Sequence, residues 1–130
     1  MALVVGYDRH PAGRAALVFA GELAGALNVP LHVVHVVNGR GADFDAERQR
    51  VADALGAADL QWTYHQIRGD PAEVLVQVAD EHSASMLVVG RPQHGPEAAL
   101  GHVVTGSVAR NVLRHSRRPV VVVPEYGGPT

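Results

Sequence analysis

The sequence contains no cysteine and no lysine, and each absence closes off a kind of chemistry. Without cysteine there is no disulfide, no thiol nucleophile and no cysteine-ligated metal. Without lysine there is no Gly-Lys-Ser/Thr phosphate loop, because its cation is missing. A receiver domain like those of response regulators is excluded as well. It needs a lysine after its last strand and an acidic pair after its first, and neither is present. Serine is limited to Ser83, Ser85, Ser107 and Ser116, and none of them sits in a G-x-S-x-G nucleophile elbow. An excess of positive charge is also lacking. Eleven basic residues, all arginine, face thirteen acidic ones, for a formal net charge of −2. A nucleic-acid-binding domain normally carries a basic excess. No apolar run approaches the ~20 residues of a membrane span. The opening Met1 to Asp8 has neither the basic nor the long apolar region of a signal peptide. The expectation is a cytoplasmic protein that engages neither membrane nor nucleic acid.

What is present is enough for one core. Of 130 residues, 47% are apolar and 18% charged, a composition that folds rather than one that stays disordered. Residues 1–125 read as a single domain and 126–130 as a loose tail. Five β-branched runs recur, at Leu3–Tyr7, Leu31–Val37, Leu60–Arg68, Ser85–Val89 and Pro119–Val123. Val33-Val34, Val88-Val89 and Val120 to Val123 are continuously apolar, the pattern of strands buried on both faces of a parallel sheet. Gln61 to Ile67 alternates instead, which predicts an edge strand with one wetter face.

Helical periodicity fills the gaps between the runs. Ala16, Phe19, Ala20, Leu23 and Leu27 predict the buried stripe of a first helix over Ala12–Leu27. Val51, Ala54, Leu55 and Ala58 mark a second, with Glu47 and Arg48 weakening its first turn. Val74, Leu75, Val78 and Ala79 mark a third, which starts on Asp70 as N-cap and Pro71 as first residue. Val104, Val108, Val112 and Leu113 mark a fourth. Strict alternation of strand and helix predicts an α/β, doubly wound, parallel sheet of five strands with helices on both faces.

In such sheets ligands bind beyond the carboxyl ends of the strands, where the strand order reverses. Asp8 ends the first strand with a carboxylate suited to a ribose hydroxyl. The long loop from Gly90 closes on Thr105-Gly106-Ser107 at a helix start, where free N–H groups and the positive helix end favour an anion. The G-x-G-x-x-G dinucleotide fingerprint is absent from the first turn, Gly6 to Pro11. His10, His94 and His102 lie in the crevice loops without a ligand-motif spacing. His32 and His35, three apart on one strand, face opposite sides. No metal ligands are assigned.

Several segments together resemble the universal stress protein family over essentially the whole chain. They are Leu3 to Asp8, Leu31 to Val37, Gly69-Asp70-Pro71-Ala72, Leu87 to Gly90, Thr105 to Leu113 and Arg118 to Pro124. The resemblance implies the strand order 3-2-1-4-5 of an adenine nucleotide alpha hydrolase-like fold. It also implies a stress-response protein that binds ATP, with or without Mg²⁺, at the ends of the first and fourth strands. The binding residues would be Asp8, Val36, Gly90, Gly95, Gly106, Ser107 and Val108. No catalytic residue is assigned, and weak ATP hydrolysis is the most enzymatic activity expected. A homodimer through the last strand, Pro119 to Pro124, is implied too. The family's ATP-binding branch carries G-x2-G-x9-G-[ST]. Here fifteen residues separate Gly90 from Gly106, where that pattern has twelve, and Gln93 stands at the inner glycine. The alternative reading is therefore a homodimeric interaction or regulatory module of the same fold that binds no nucleotide.

Overall fold

The computed structural model describes residues 1–56, 59–92 and 107–125. Strand and helix alternate as β1 (Leu3–Tyr7), α1 (Pro11–Leu27), β2 (Leu31–Val37), α2 (Phe44–Leu55), β3 (Trp62–Arg68), α3 (Pro71–Glu81), β4 (Met86–Arg91), α4 (Ser107–His115) and β5 (Val120–Pro124). All neighbouring strands pair in parallel, in the order β3-β2-β1-β4-β5. The switch point falls between β1 and β4, the strands that end near Asp8 and Gly90.

Alternation along each central strand feeds two separate apolar layers. Leu3, Val5, Leu31, Val33 and Val88 point to one side and pack with Leu17 of α1 and Val51 of α2. Val4, Val34, Leu87 and Val89 point to the other and meet Leu75 and Val78 of α3 and Val112 of α4. A fully buried valine or leucine contributes about 1.5–3 kcal/mol, so β1, β2 and β4, apolar toward both layers, anchor the fold. As an edge strand, β3 fully buries only Tyr64.

Two helices differ in detail from their sequence pattern. In α1 the buried residues are Ala12, Gly13, Ala16, Leu17, Ala20 and Ala24, while Phe19 and Leu27 are exposed. This helix is apolar most of the way round, and its small-residue face lies closest to the sheet. In α2, Glu47 does not weaken an exposed turn; it is 2% exposed. Tyr7 donates a hydrogen bond to its Oε2 at 3.3 Å, and Arg50 and Arg9 meet Oε1 at 3.2 and 3.5 Å. Two guanidinium groups and a phenol thus compensate a charge that would be costly to bury alone. Burial, with Glu47 adding to it, pushes the Tyr7 phenol up to about 12. The start of α3 is as expected: the Asp70 carboxylate accepts from the Glu73 N–H at 3.1 Å, with Pro71 beginning the helix.

Candidate functional site

A cleft of about 450 Å³ opens beyond the carboxyl ends of β1 and β4. Its floor is made where the first turn of α1 crosses the strand ends. Gly90 has no room for a side chain, because a Cβ there would run into the carbonyl of Ala12. Gly13 is equally confined, since a Cβ would lie 2.6 Å from the backbone nitrogen of Asp8 and 2.9 Å from its carbonyl oxygen. Two glycines therefore let the helix sit directly on the strand ends. Val34, Val36, Leu75, Val89 and Val108 give the cleft apolar walls.

The polar groups arrive from helix starts. His10, the N-cap of α1, makes no side-chain cap, and Pro11 opens the helix without an N–H to offer. The amides of Ala12 and Gly13, second and third in the helix, have no intrahelical acceptor. Both residues line the cleft, as do Ser107 and Val108 at the start of α4. Two positive helix ends thus face one volume, an arrangement that favours a negatively charged ligand.

Of the seven residues singled out from sequence, the cleft gathers Asp8, Val36, Gly90, Ser107 and Val108. Gly95 and Gly106 lie outside the described residues, as do Gln93, His94, His102, Val104, Thr105 and residues 126–130. One Asp8 oxygen accepts the His10 N–H at 2.9 Å and so shapes the turn after β1. Its side chain is exposed on the cleft wall. Arg9, the next residue, is drawn away to Glu47, while His10 faces the cleft. Sequence reasoning missed Glu125, a second wall carboxylate. Its signal was the position just past the last strand, at the same end of the sheet.

The histidines divide as their strand positions require. His35 lies between the two tyrosines, with its Nδ1 2.9 Å from the Tyr64 hydroxyl and its ring edge-on to Tyr7. Burial holds its imidazole below the ordinary range. On the opposite face His32 meets His65 and His82, which the sequence reading did not connect. Burial, then the nearby His82 and His65, lower His32 to about 4.

Comparisons with known proteins agree with this fold. The model of the universal stress protein family matches residues 1–124. A universal stress protein of Mycolicibacterium smegmatis is 30% identical, over 96% of this chain and 98% of its own. A universal stress protein solved in complex with cAMP superposes with a TM-score of 0.79 at 28% identity, covering 97% of this chain and 98% of that one. The Archaeoglobus fulgidus universal stress protein in complex with dAMP gives 0.69 at 26% identity, covering 94% and 96%. Sequence and architecture together place this chain in the universal stress protein family.

Proposed function

We propose that the cleft binds an adenine nucleotide and that the protein acts by binding it, as a cytoplasmic stress-response protein, rather than as an enzyme. The observation that carries this reading is the convergence of two helix starts on an apolar-walled cleft at the strand switch point. In this reading Val36 lines the base, Asp8 holds the ribose, and Gly90, Ser107 and Val108 surround the phosphates; all five line the cleft. Gly95 and Gly106 belong to the same proposal from the sequence alone. The two nucleotide-bound relatives support the class of ligand. Among the described residues no arginine lines the cleft. From the described residues, phosphate charge would meet helix amides and His10 and, with ATP, Mg²⁺, for which Asp8 offers an oxygen donor.

Isothermal titration with ATP, AMP and cAMP, each with and without Mg²⁺, tests the proposal directly. Replacing Val36 by Trp fills the apolar wall and should weaken binding at least about tenfold, the effect of losing some 1.4 kcal/mol. Gly106→Val should block phosphate approach in the same way. Absence of binding at millimolar nucleotide would overturn the proposal in favour of an interaction module that keeps the fold.

A second part of the proposal concerns assembly. β5 is an edge strand in which Val120, Val121 and Val122 are each only partly buried. Beside it runs a groove lined by Val18, Phe19, Val121 and Pro124 together with the charged Arg9, Arg14 and Glu22. An uncharged apolar edge of this kind invites pairing. A second copy of the same strand, antiparallel about a two-fold axis, is the simplest partner.

A further inference from the structure

The cluster of His32, His65 and His82 lies apart from the cleft. His32 is the second residue of β2, near the amino ends of the strands, and His65 lies on the neighbouring β3. His82 follows the last residue of α3, whose other end, at Pro71, lines the cleft. Strand register brings the first two together, because His32 pairs with Thr63 and His65 lies two positions farther along the same face. The helix end then delivers the third.

The ring nitrogens lie close together. His32 Nδ1 and His65 Nε2 are 3.0 Å apart. The rings of His32 and His82 stack with centroids 3.8 Å apart at 22°. One nitrogen from each of the three lies within 4.8 Å of the others. In a tetrahedral site with metal–nitrogen bonds of about 2.0–2.1 Å, ligand nitrogens stand about 3.3 Å apart. The His32–His65 pair is already near that spacing. His82 is exposed at a helix end, so its ring can turn to complete the set, while the two strand residues are half-buried. Among the described residues, no other group of three histidine or acidic side chains brings its ligand atoms together in this way.

We propose that His32, His65 and His82 form a three-histidine site for a divalent transition-metal ion, tested as Zn²⁺, with a remaining coordination position open to solvent. Imidazole ligands suit Zn²⁺, Ni²⁺ and Cu²⁺, whereas Mg²⁺ and Ca²⁺ prefer oxygen. Glu81, hydrogen-bonded to Gln77 at 3.2 Å, adds negative charge beside the cluster. The ion would join β2, the edge strand β3 and the end of α3, adding a cross-link to the β2–β3 ladder and tying the helix end to it. Because binding requires the folded register, it stabilises the native state.

Nucleotide-free protein titrated with Zn²⁺ should bind one ion per chain with micromolar or tighter affinity and a raised Tm. Co²⁺ should give the visible absorption of a low-coordinate nitrogen site. His82→Gln removes an exposed ligand and its stacking on His32, so its own metal-free Tm is the reference for its Zn²⁺ titration. Its Zn²⁺ affinity should fall at least about tenfold, no less than the loss that removing outer-shell support causes. His65→Gln should lose binding as well, while His115→Gln, an exposed histidine outside the cluster, should bind like the parent. Mg²⁺ should leave Tm unchanged. Failure of the parent to bind Zn²⁺ at micromolar concentrations, or unchanged affinity in His82→Gln, would overturn the proposal.

Discussion

The two edges of this sheet meet the same problem with different means. β3 exposes polar residues, and Arg48 stacks over its Trp62 at 4.8 Å. Its Tyr64 hydroxyl is bonded on both sides, to His35 and Gln66 at 2.9 Å each. β5 carries four consecutive valines with a proline at the strand end and no charge among them. One edge is finished by side-chain chemistry, whereas the other presents an apolar strand without a charge. Edge strands are templates for pairing unless something blunts them. The contrast therefore separates a polar edge from an apolar one, and the proposed dimer rests on the second.

The sharpest way to break the contrast is to give β5 the charge that it lacks. Val121→Lys should convert a dimer into monomers, since an uncompensated buried charge costs about 3–5 kcal/mol. Sedimentation velocity at micromolar concentration reads the result. A parent chain that is already monomeric would remove the basis of the comparison. On the other edge, Tyr64→Phe deletes one hydroxyl and leaves His35 and Gln66 without their partner. Chemical denaturation should show a loss of about 1–3 kcal/mol, the cost of an unsatisfied buried group, with no change in oligomeric state.

The smallest effect is a pH dependence arising at His35. Burial holds this imidazole below its ordinary value; Glu47 and Asp8 act upward on it, and Arg9 acts downward. Tyr7 and Tyr64 face its ring. The unfolded chain takes up the proton near pH 6.5, before the folded chain does. Stability from this group is thus fully present above pH 6.5 and is lost as pH falls toward the depressed folded value. An imidazole NMR titration in chelator should find His35 still neutral somewhat below pH 6.5. An ordinary titration midpoint would contradict its burial.

The fold was legible because apolar runs and capped helices are local signals. The continuous Val33-Val34 and Val88-Val89 pairs announced strands buried on both sides, and Asp70-Pro71 announced a helix start. Strand order was less local and came from the family resemblance. The cleft residues Asp8, Gly90 and Ser107 could be found because parallel topology places strand ends and helix starts together. The buried face of α1 was not legible, since Phe19 and Leu17 satisfy equally plausible stripes until the sheet selects the small-residue side. Glu47 was misread for a related reason. A glutamate in a first helical turn looks solvated until Tyr7, Arg9 and Arg50 close around it from other segments. The histidine cluster depends on strand register and on a helix end seventeen residues beyond His65, which no single segment reveals.

The glycines beneath the cleft also limit how it can change. Gly90 rests against the Ala12 carbonyl and Gly13 against Asp8 itself. A side chain at either position would have to lift α1 from the sheet. Substitution can therefore re-tailor the walls, through Val36, Leu75 or Val108, while the floor stays fixed. Any lineage or design that seeks a new ligand here inherits the same backbone surface and must alter selectivity from the sides.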